Sequence, residues 1–348
     1  MIPEDWGRPQ TPGDQPAGGR GGPEHRVALT GLWCLGVLLF LLAGCVTVKV
    51  PLWEEPGPMK EKVVSGYGPQ KILLMDLSGM LWEKPPRSWL GLGGRLSLPA
   101  RVKEELEKAS DDDKVRAVVL RLNSPGGTVT AADLIYHELR RFKEKGQRKI
   151  VACVVGLAAS GGYYVAQAAD VIMAQPTSIV GSIGVLALKF NVKELLDKLG
   201  VETELVKTGK LKDLWSPFRG ATPEEARIMQ GIIDDFQQRF VEVVAQGRSL
   251  PPAEVRKYAD GRIFTATQAL ESKLIDRIGY LDEALELAQA LAGVEEARVI
   301  VYHYPGTYRG TIYSQSLTET WRDWLPLPGA GVAPLTAEAP EFYYLWQP

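Results

Sequence analysis

The feature that most constrains the fold is a set of short apolar runs that do not alternate with polar residues. Ile72-Leu73-Leu74-Met75, Ala117–Leu122 and Ile150–Val155 are apolar at nearly every position. A strand with one face in water alternates apolar and polar residues, so these strands are expected to be covered on both faces. Segments with helical spacing separate them: Arg101–Lys108, then Ala131–Phe142 with Leu134, Ile135, Leu139 and Phe142 on one side. Strand and helix alternate, which predicts an α/β fold with mostly parallel sheets covered by helices. Strands are expected at Lys71–Leu77, Val171–Ala174 and Glu204–Lys207, and a helix from about Gly161 to Ala169.

The best-marked helix starts at Thr222. Thr222 is the N-cap, Pro223 takes the first helical position, and Glu225 completes a capping box. Met229, Ile232, Ile233, Phe236, Phe240 and Val244 form its apolar stripe, and Gly247 is the expected stop. A further α/β stretch covers Ala259–Leu291, and the remaining residues are poor in regular signals. The apolar end, Phe342–Trp346, reads as a strand edge or packing segment; the rival is that it fills a groove of its own or of a neighbouring subunit. No internal repeat is present.

The N-terminus reads as separate from this fold. Residues 1–26, rich in glycine and proline, are expected to be disordered. Residues 27–48 are uncharged and almost wholly apolar, and Arg20, His25 and Arg26 precede them. At about 1.5 Å per residue such a run spans a bilayer of roughly 30 Å. The basic flank puts the N-terminus in the cytoplasm and the globular part beyond the membrane. A second reading takes Leu42-Ala43-Gly44-Cys45 as a lipobox, cut before Cys45, whose thiol carries lipid. Either reading attaches the chain to a membrane. Residues 49–69, with Pro51, Pro56, Pro58 and Pro69, read as a linker; the domain covers 70–295 and a C-terminal extension 296–348.

Composition removes some functions. Forty lysines and arginines face 42 aspartates and glutamates, so no global charge argues for nucleic acid. The three cysteines, Cys34, Cys45 and Cys153, give neither a disulfide framework nor zinc spacing, and no metal or cofactor site is read. The loop Met80–Ser97 carries Trp82, Trp89, Leu90 and Leu92, and reads either as functional or as packed on its own core.

Two segments look like halves of one site. One is Leu157-Ala158-Ala159-Ser160-Gly161-Gly162-Tyr163-Tyr164; the other is Lys207-Thr208-Gly209-Lys210-Leu211-Lys212-Asp213, running on to Ser216-Pro217-Phe218-Arg219. A serine hydroxyl needs a base, and a lysine can serve if its amine is neutral. That requires a fall of several units from about 10.4, which burial achieves. Lys212 has Leu211, Leu214, Trp215 and Phe218 near it, but Lys207 and Lys210 are rivals that spacing does not separate. The amides of Gly127 and Gly161 are the expected oxyanion donors, because glycine turns allow close approach. Gly181-Ser182-Ile183-Gly184 is a third small-residue turn, with Ser182 either aimed at a lysine or bonded to backbone. His137, inside a helix, reads as a surface residue; His25 and His303 lie away from the serine segment.

These residues together resemble the signal peptide peptidase A family of membrane-bound Ser–Lys peptidases, over about residues 70–290. The resemblance lies in Asn123-Ser124-Pro125-Gly126-Gly127, Ala158–Tyr164, Gly181–Val185, Thr208–Asp213 with Ser216-Pro217, and Asp260-Gly261-Arg262. It implies a Clp protease/crotonase-like fold, Ser160 as nucleophile, Lys212 rather than Lys207 or Lys210 as general base, and Ser182 as the partner of that lysine. It also implies cleaved signal peptides and other membrane-associated peptides as substrates. A single-copy chain of this kind implies a homo-octameric ring with sites completed near subunit contacts, on the extracytoplasmic side of a bacterial membrane. Tyr163, Tyr164 and the loop containing Trp82 would then line an apolar groove. The rivals are a non-catalytic ring scaffold and an acyl-CoA hydratase or thioesterase of the same superfamily. The first 69 residues, the tryptophan loop and the C-terminal tail have no match in that family pattern.

Overall fold

The apolar runs form the centre of one sheet. The computed structural model describes residues 57–83, 96–305, 311–312 and 342–346. Its strands are β1 (Lys60–Gly66), β2 (Gln70–Ser78), β3 (Val115–Ser124), β4 (Gly126–Thr128), β5 (Lys149–Ala159), β6 (Val171–Ala174), β7 (Ile179–Gly181), β8 (Ile263–Thr265), β9 (Arg277–Ile278), β10 (Ala297–His303) and β11 (Tyr343–Leu345). The helices are α1 (Leu98–Ser110), α2 (Val129–Gly146), α3 (Gly161–Ala166), α4 (Lys193–Lys198), α5 (Pro223–Arg248), α6 (Pro252–Arg256), α7 (Ala266–Glu271) and α8 (Leu281–Leu291).

The main sheet has the order β1-β10-β2-β3-β5-β6-β9. Its pairs are parallel except β1 with β10. Short β7 extends the sheet beside the end of β5 and pairs antiparallel with β8. β4 and β11 form a separate antiparallel ribbon.

Both faces of the sheet are covered, which is why the central strands lack polar alternation. Val118, Leu120 and Leu122 of β3 pack into one cluster with Val102 and Leu106 of α1, Ile135 and Leu139 of α2, and Phe240 of α5. Ala117 and Val119 pack into the other with Leu281, Ala284, Leu285 and Ala288 of α8. Full burial of such side chains stabilises by about 1.5–3 kcal/mol each, so a charge at either set would break the core.

The structure departs from the sequence reading at several elements. Residues 60–66, read as linker, form edge strand β1; its mostly exposed, charged side chains hide a strand signal. Ala297–His303, in a stretch read as poor in regular signals, is β10, inserted between β1 and β2. Glu204–Lys207 is no strand: among the described residues none pairs with it, and Leu205 and Val206 face solvent. α3 ends at Ala166. α5 begins as expected, with the Thr222–Glu225 capping box, but runs through Gly247 to a left-handed Ser249. Gly247 serves packing instead: a Cβ there would stand 2.6 Å from Gln167 Oε1. Among the described residues no helix is long and apolar enough to cross a membrane. The run 27–48, Cys45 and Trp89–Leu92 lie outside the described residues.

Candidate active site

The small-residue turns of the serine segment meet at one end of the sheet. β5 passes into α3 at Ser160, which takes φ 52° and ψ −116°. A non-glycine residue in such a conformation costs on the order of 1–3 kcal/mol and persists only where its surroundings hold it. They do so here. Ser160 N–H donates to Gly181 O at 2.7 Å, and Ser160 O accepts from Tyr164 N–H at 2.9 Å. Ser160 Oγ reaches Gly184 O at 3.4 Å, and the residue is 1% exposed. The pairing of Ala159 with Gly181 sets Ser160 beside Ser182, which is also buried with φ 51°. Ser182 N–H donates to Arg262 O at 2.8 Å, so the motif Asp260-Gly261-Arg262 backs this turn.

Gly126 and Gly127 face the start of α3. Gly126 has φ +102°, its N–H donates to Ser124 Oγ at 3.1 Å, and a Cβ on it would stand 2.7 Å from Gly161 N. A Cβ on Gly127 would overlap the Leu81 backbone. Leu81 N–H donates to Gly126 O and Thr128 N–H to Leu81 O, both at 2.9 Å. Those bonds leave the Gly127 N–H on the opposite edge, because successive backbone groups of a strand alternate in direction. Asn123 Oδ1 accepts from Leu157 N–H at 3.2 Å and ties this turn to the serine segment. Asn123 and Ser124 were visible as motif residues, but only the fold gives them these positioning roles. Gly127→Ala is expected to lower the melting temperature, because its Cβ would overlap the Leu81 backbone, and, if the Gly127 amide is an oxyanion donor, to cut peptidase activity at least about 100-fold. Thermal melts beside a peptide assay check it.

The lysine segment is largely exposed in the single chain. Lys212 is exposed, and among the described residues no hydrogen bond joins it to Ser160, whose hydroxyl bonds Gly184 instead. The rival lysines are engaged. Lys207 pairs with Asp213 and donates to Lys210 O at 3.0 Å. Lys210 pairs with Glu224, and that hydrogen bond and charge raise its pKa, favouring the charged form. Arg219 fixes the loop to the start of α5 by pairing with Asp213 at 2.7 Å and with Glu225. Arg219, then Lys207, hold the Asp213 carboxyl well below the usual range; Arg219 and the Thr222 N–H bring Glu225 down to about 2.

The aromatic residues divide. Trp82 meets Tyr343 edge-on at 5.9 Å, and Tyr164 stacks on Tyr344 at 5.1 Å. Tyr163 is not with them: it is buried in the core and its hydroxyl donates to Leu274 O at 2.6 Å. His137 is exposed on α2. Cys153 is buried, and burial pushes its thiol up to about 12, so it is unreactive.

Residues 142–295 match the model of peptidase family S49, and residues 98–180 that of the Clp protease family. A protein of Synechocystis sp. named as a protease is 43% identical over 192 residues, covering 55% of this chain and 69% of that protein. The chain belongs to peptidase family S49. An Enterococcus faecium protein named as a signal peptide peptidase is 38% identical over 57% of this chain and 57% of its own length. Protease 4 of Salmonella typhi is 34% identical over 64% of this chain but only 35% of its own. The S49 match runs from late α2 to beyond α8 and contains Ser160, Ser182 and Lys212. The S49 protease thus has a mixed α/β, Clp protease-like fold with a mostly parallel sheet.

Proposed function

We propose that this S49 protease is a membrane-attached serine endopeptidase that hydrolyses signal-peptide remnants and other apolar peptides. The observation that carries the reading is Ser160 itself, strained, buried and set beside the Gly126-Gly127 turn. In this reading Ser160 Oγ attacks the carbonyl carbon while Lys212 accepts its proton. The Gly127 and Gly161 amides hold the oxyanion. Lys212 passes the proton to the leaving amine, and a water then hydrolyses the acyl-enzyme by the same route.

A neutral lysine needs a dry setting, and assembly supplies one. In the segment from residue 188 to residue 218, which contains Lys212, the chain leaves Leu188, Phe190, Leu195, Leu199, Val206 and Phe218 exposed. Exposed apolar groups this numerous mark an interface. Packing them on a second copy removes water from Lys212 and brings it to a neighbour's Ser160, next to Ser182. A homo-octameric ring, as the family resemblance implies, closes such contacts. The run 27–48, as a spanning helix or through lipid on Cys45, holds the folded domain on the extracytoplasmic side of a bacterial membrane.

The test is incubation of the protein with a synthetic apolar signal-peptide fragment, followed by mass spectrometry. Ser160→Ala and Lys212→Ala are each expected to abolish cleavage and His137→Ala to leave it unchanged. Full activity in Lys212→Ala would remove the lysine from the mechanism.

A further inference from the structure

The loop that carries Lys212 holds two further lysines, and both are paired with carboxylates. Lys207 pairs with Asp213 and Lys210 with Glu224. Among the described residues no ion pair or hydrogen bond engages the Lys212 amine. Yet Lys212 directly precedes Asp213 in the chain. Neighbouring Cα atoms are about 3.8 Å apart and a lysine stem is flexible, so the Asp213 carboxylate is within reach of the Lys212 amine. An ionised carboxylate favours the charged form of a nearby amine. A lysine that must be neutral to act as a base is therefore badly placed beside one, unless that carboxylate is already neutralised.

Asp213 is neutralised from two sides. Arg219 Nε donates to Asp213 Oδ2 at 2.7 Å, and Arg219 Nη2 to Asp213 O at 3.2 Å. Lys207 Nζ donates to the other carboxylate oxygen. The Asp213 side chain is only 9% exposed, so these partners rather than water compensate its charge. Arg219 is itself fixed. Its Nη1 and Nη2 fork onto the two oxygens of Glu225, and Glu225 also accepts from Thr222 N–H at 2.8 Å at the start of α5. Lys189, from the segment before α4, donates to Arg219 O at 3.0 Å, and its amine stands 5.7 Å from the centre of the Trp215 ring. The Lys210–Glu224 pair lies beside this group, close enough for Glu225 to act on Lys210.

We propose that Arg219, with Lys207, neutralises Asp213 and so keeps that carboxylate from holding the neighbouring Lys212 in its charged, inactive form. Arg219 is then a positioning residue that acts on the base through Asp213. The catalytic meaning of this shielding rests on Lys212 being the general base; the arrangement of charges does not.

Two measurements test it separately. The first is the pH dependence of peptide cleavage by full-length protein. A lysine base works only when neutral, so activity rises with pH through a midpoint. Arg219→Gln unmasks Asp213 and should raise that midpoint by about one pH unit, a loss of about tenfold at any pH below it. Adding Asp213→Asn removes the unmasked charge and should bring the midpoint back. Arg219→Lys keeps the cation and should hold the midpoint near that of the wild type. If Arg219 only ties the loop to α5, its variants lose activity evenly at every pH and Asp213→Asn recovers nothing; that result, in proteins with native circular dichroism, overturns the proposal. The second measurement needs no catalysis. Ser160→Ala protein is labelled with trace acetic anhydride across a pH series, and mass spectrometry reads the pH at which the Lys212 amine becomes reactive. Arg219→Gln should raise that pH by the same amount, and Asp213→Asn should cancel the rise. No change in labelling would overturn the proposal whatever the role of Lys212. A raised labelling midpoint together with full peptidase activity in Lys212→Ala would refute the lysine base and leave the shielding standing.

Discussion

Ser160→Gly is expected to abolish peptide hydrolysis and yet to stabilise the protein. The hydroxyl proposed as nucleophile is gone, so activity should fall at least about 10³-fold. The backbone at Ser160 sits at φ 52° and ψ −116°, a region that glycine enters freely. Relief of about 1–3 kcal/mol of strain outweighs about 0.5–1 kcal/mol lost to the glycine chain's greater freedom when unfolded. The net gain, about 1 kcal/mol, raises the melting temperature by about 2–4 °C for a domain of this size. Ser160→Ala is the control: it loses the hydroxyl but keeps the strain, so activity should vanish with little change in melting. A melting temperature lower for Ser160→Gly than for Ser160→Ala would show that the turn is not strained. The comparison needs two purified variants, thermal melts and one peptide assay. It separates what the serine does for chemistry from what its conformation costs the fold.

Mixing two inactive proteins should restore activity. Lys212 is exposed and makes no hydrogen bond to Ser160 among the described residues, and residues 188–218 carry the exposed apolar side chains Leu188, Phe190, Leu195, Leu199, Val206 and Phe218. If the dyad forms between neighbours, a ring assembled from Ser160→Ala and Lys212→Ala protomers contains complete sites. A site is complete when its serine comes from one variant and its lysine from the other, which random assembly gives in about a quarter of sites. Co-refolded equal mixtures should therefore recover about a quarter of wild-type activity, while each variant alone shows none. Zero recovery in co-assembled rings, verified by mass, would place both residues of the dyad in one chain. The outcome bears on the chemistry directly, because a lysine that becomes a base only on assembly leaves isolated protomers without peptidase activity.

Much of this molecule was legible before any coordinates. β2, β3, β5 and β6 follow from apolar runs, because burial on both faces removes polar alternation. The start of α5 was readable because a capping box spans only three residues and acts locally. The turn at Gly126-Gly127 stood out for a similar reason: close backbone approach demands the missing side chain. β1 escaped because an edge strand with charged, exposed residues carries little apolar signal. The difference between Tyr163 and Tyr164 was equally hidden. Adjacent residues on a short helix diverge by about 100°, and packing alone decides that both are buried in the core but Tyr163 reaches Leu274 while Tyr164 stacks on Tyr344.

By itself the sequence determined the apolar strands, the start of the helix at Thr222, and the small-residue turns around Ser160, because each depends on neighbours a few positions away. Tertiary structure decided which distant segments meet. Only the closed fold brings Gly126 to the start of α3, sets Ser182 beside Ser160, slots β10 between β1 and β2, and lays Tyr344 across Gly127. The physical reason is range. Propensity, capping and periodicity act over a few residues, whereas strand pairing and side-chain packing join positions separated by hundreds, at no fixed spacing that a sequence displays.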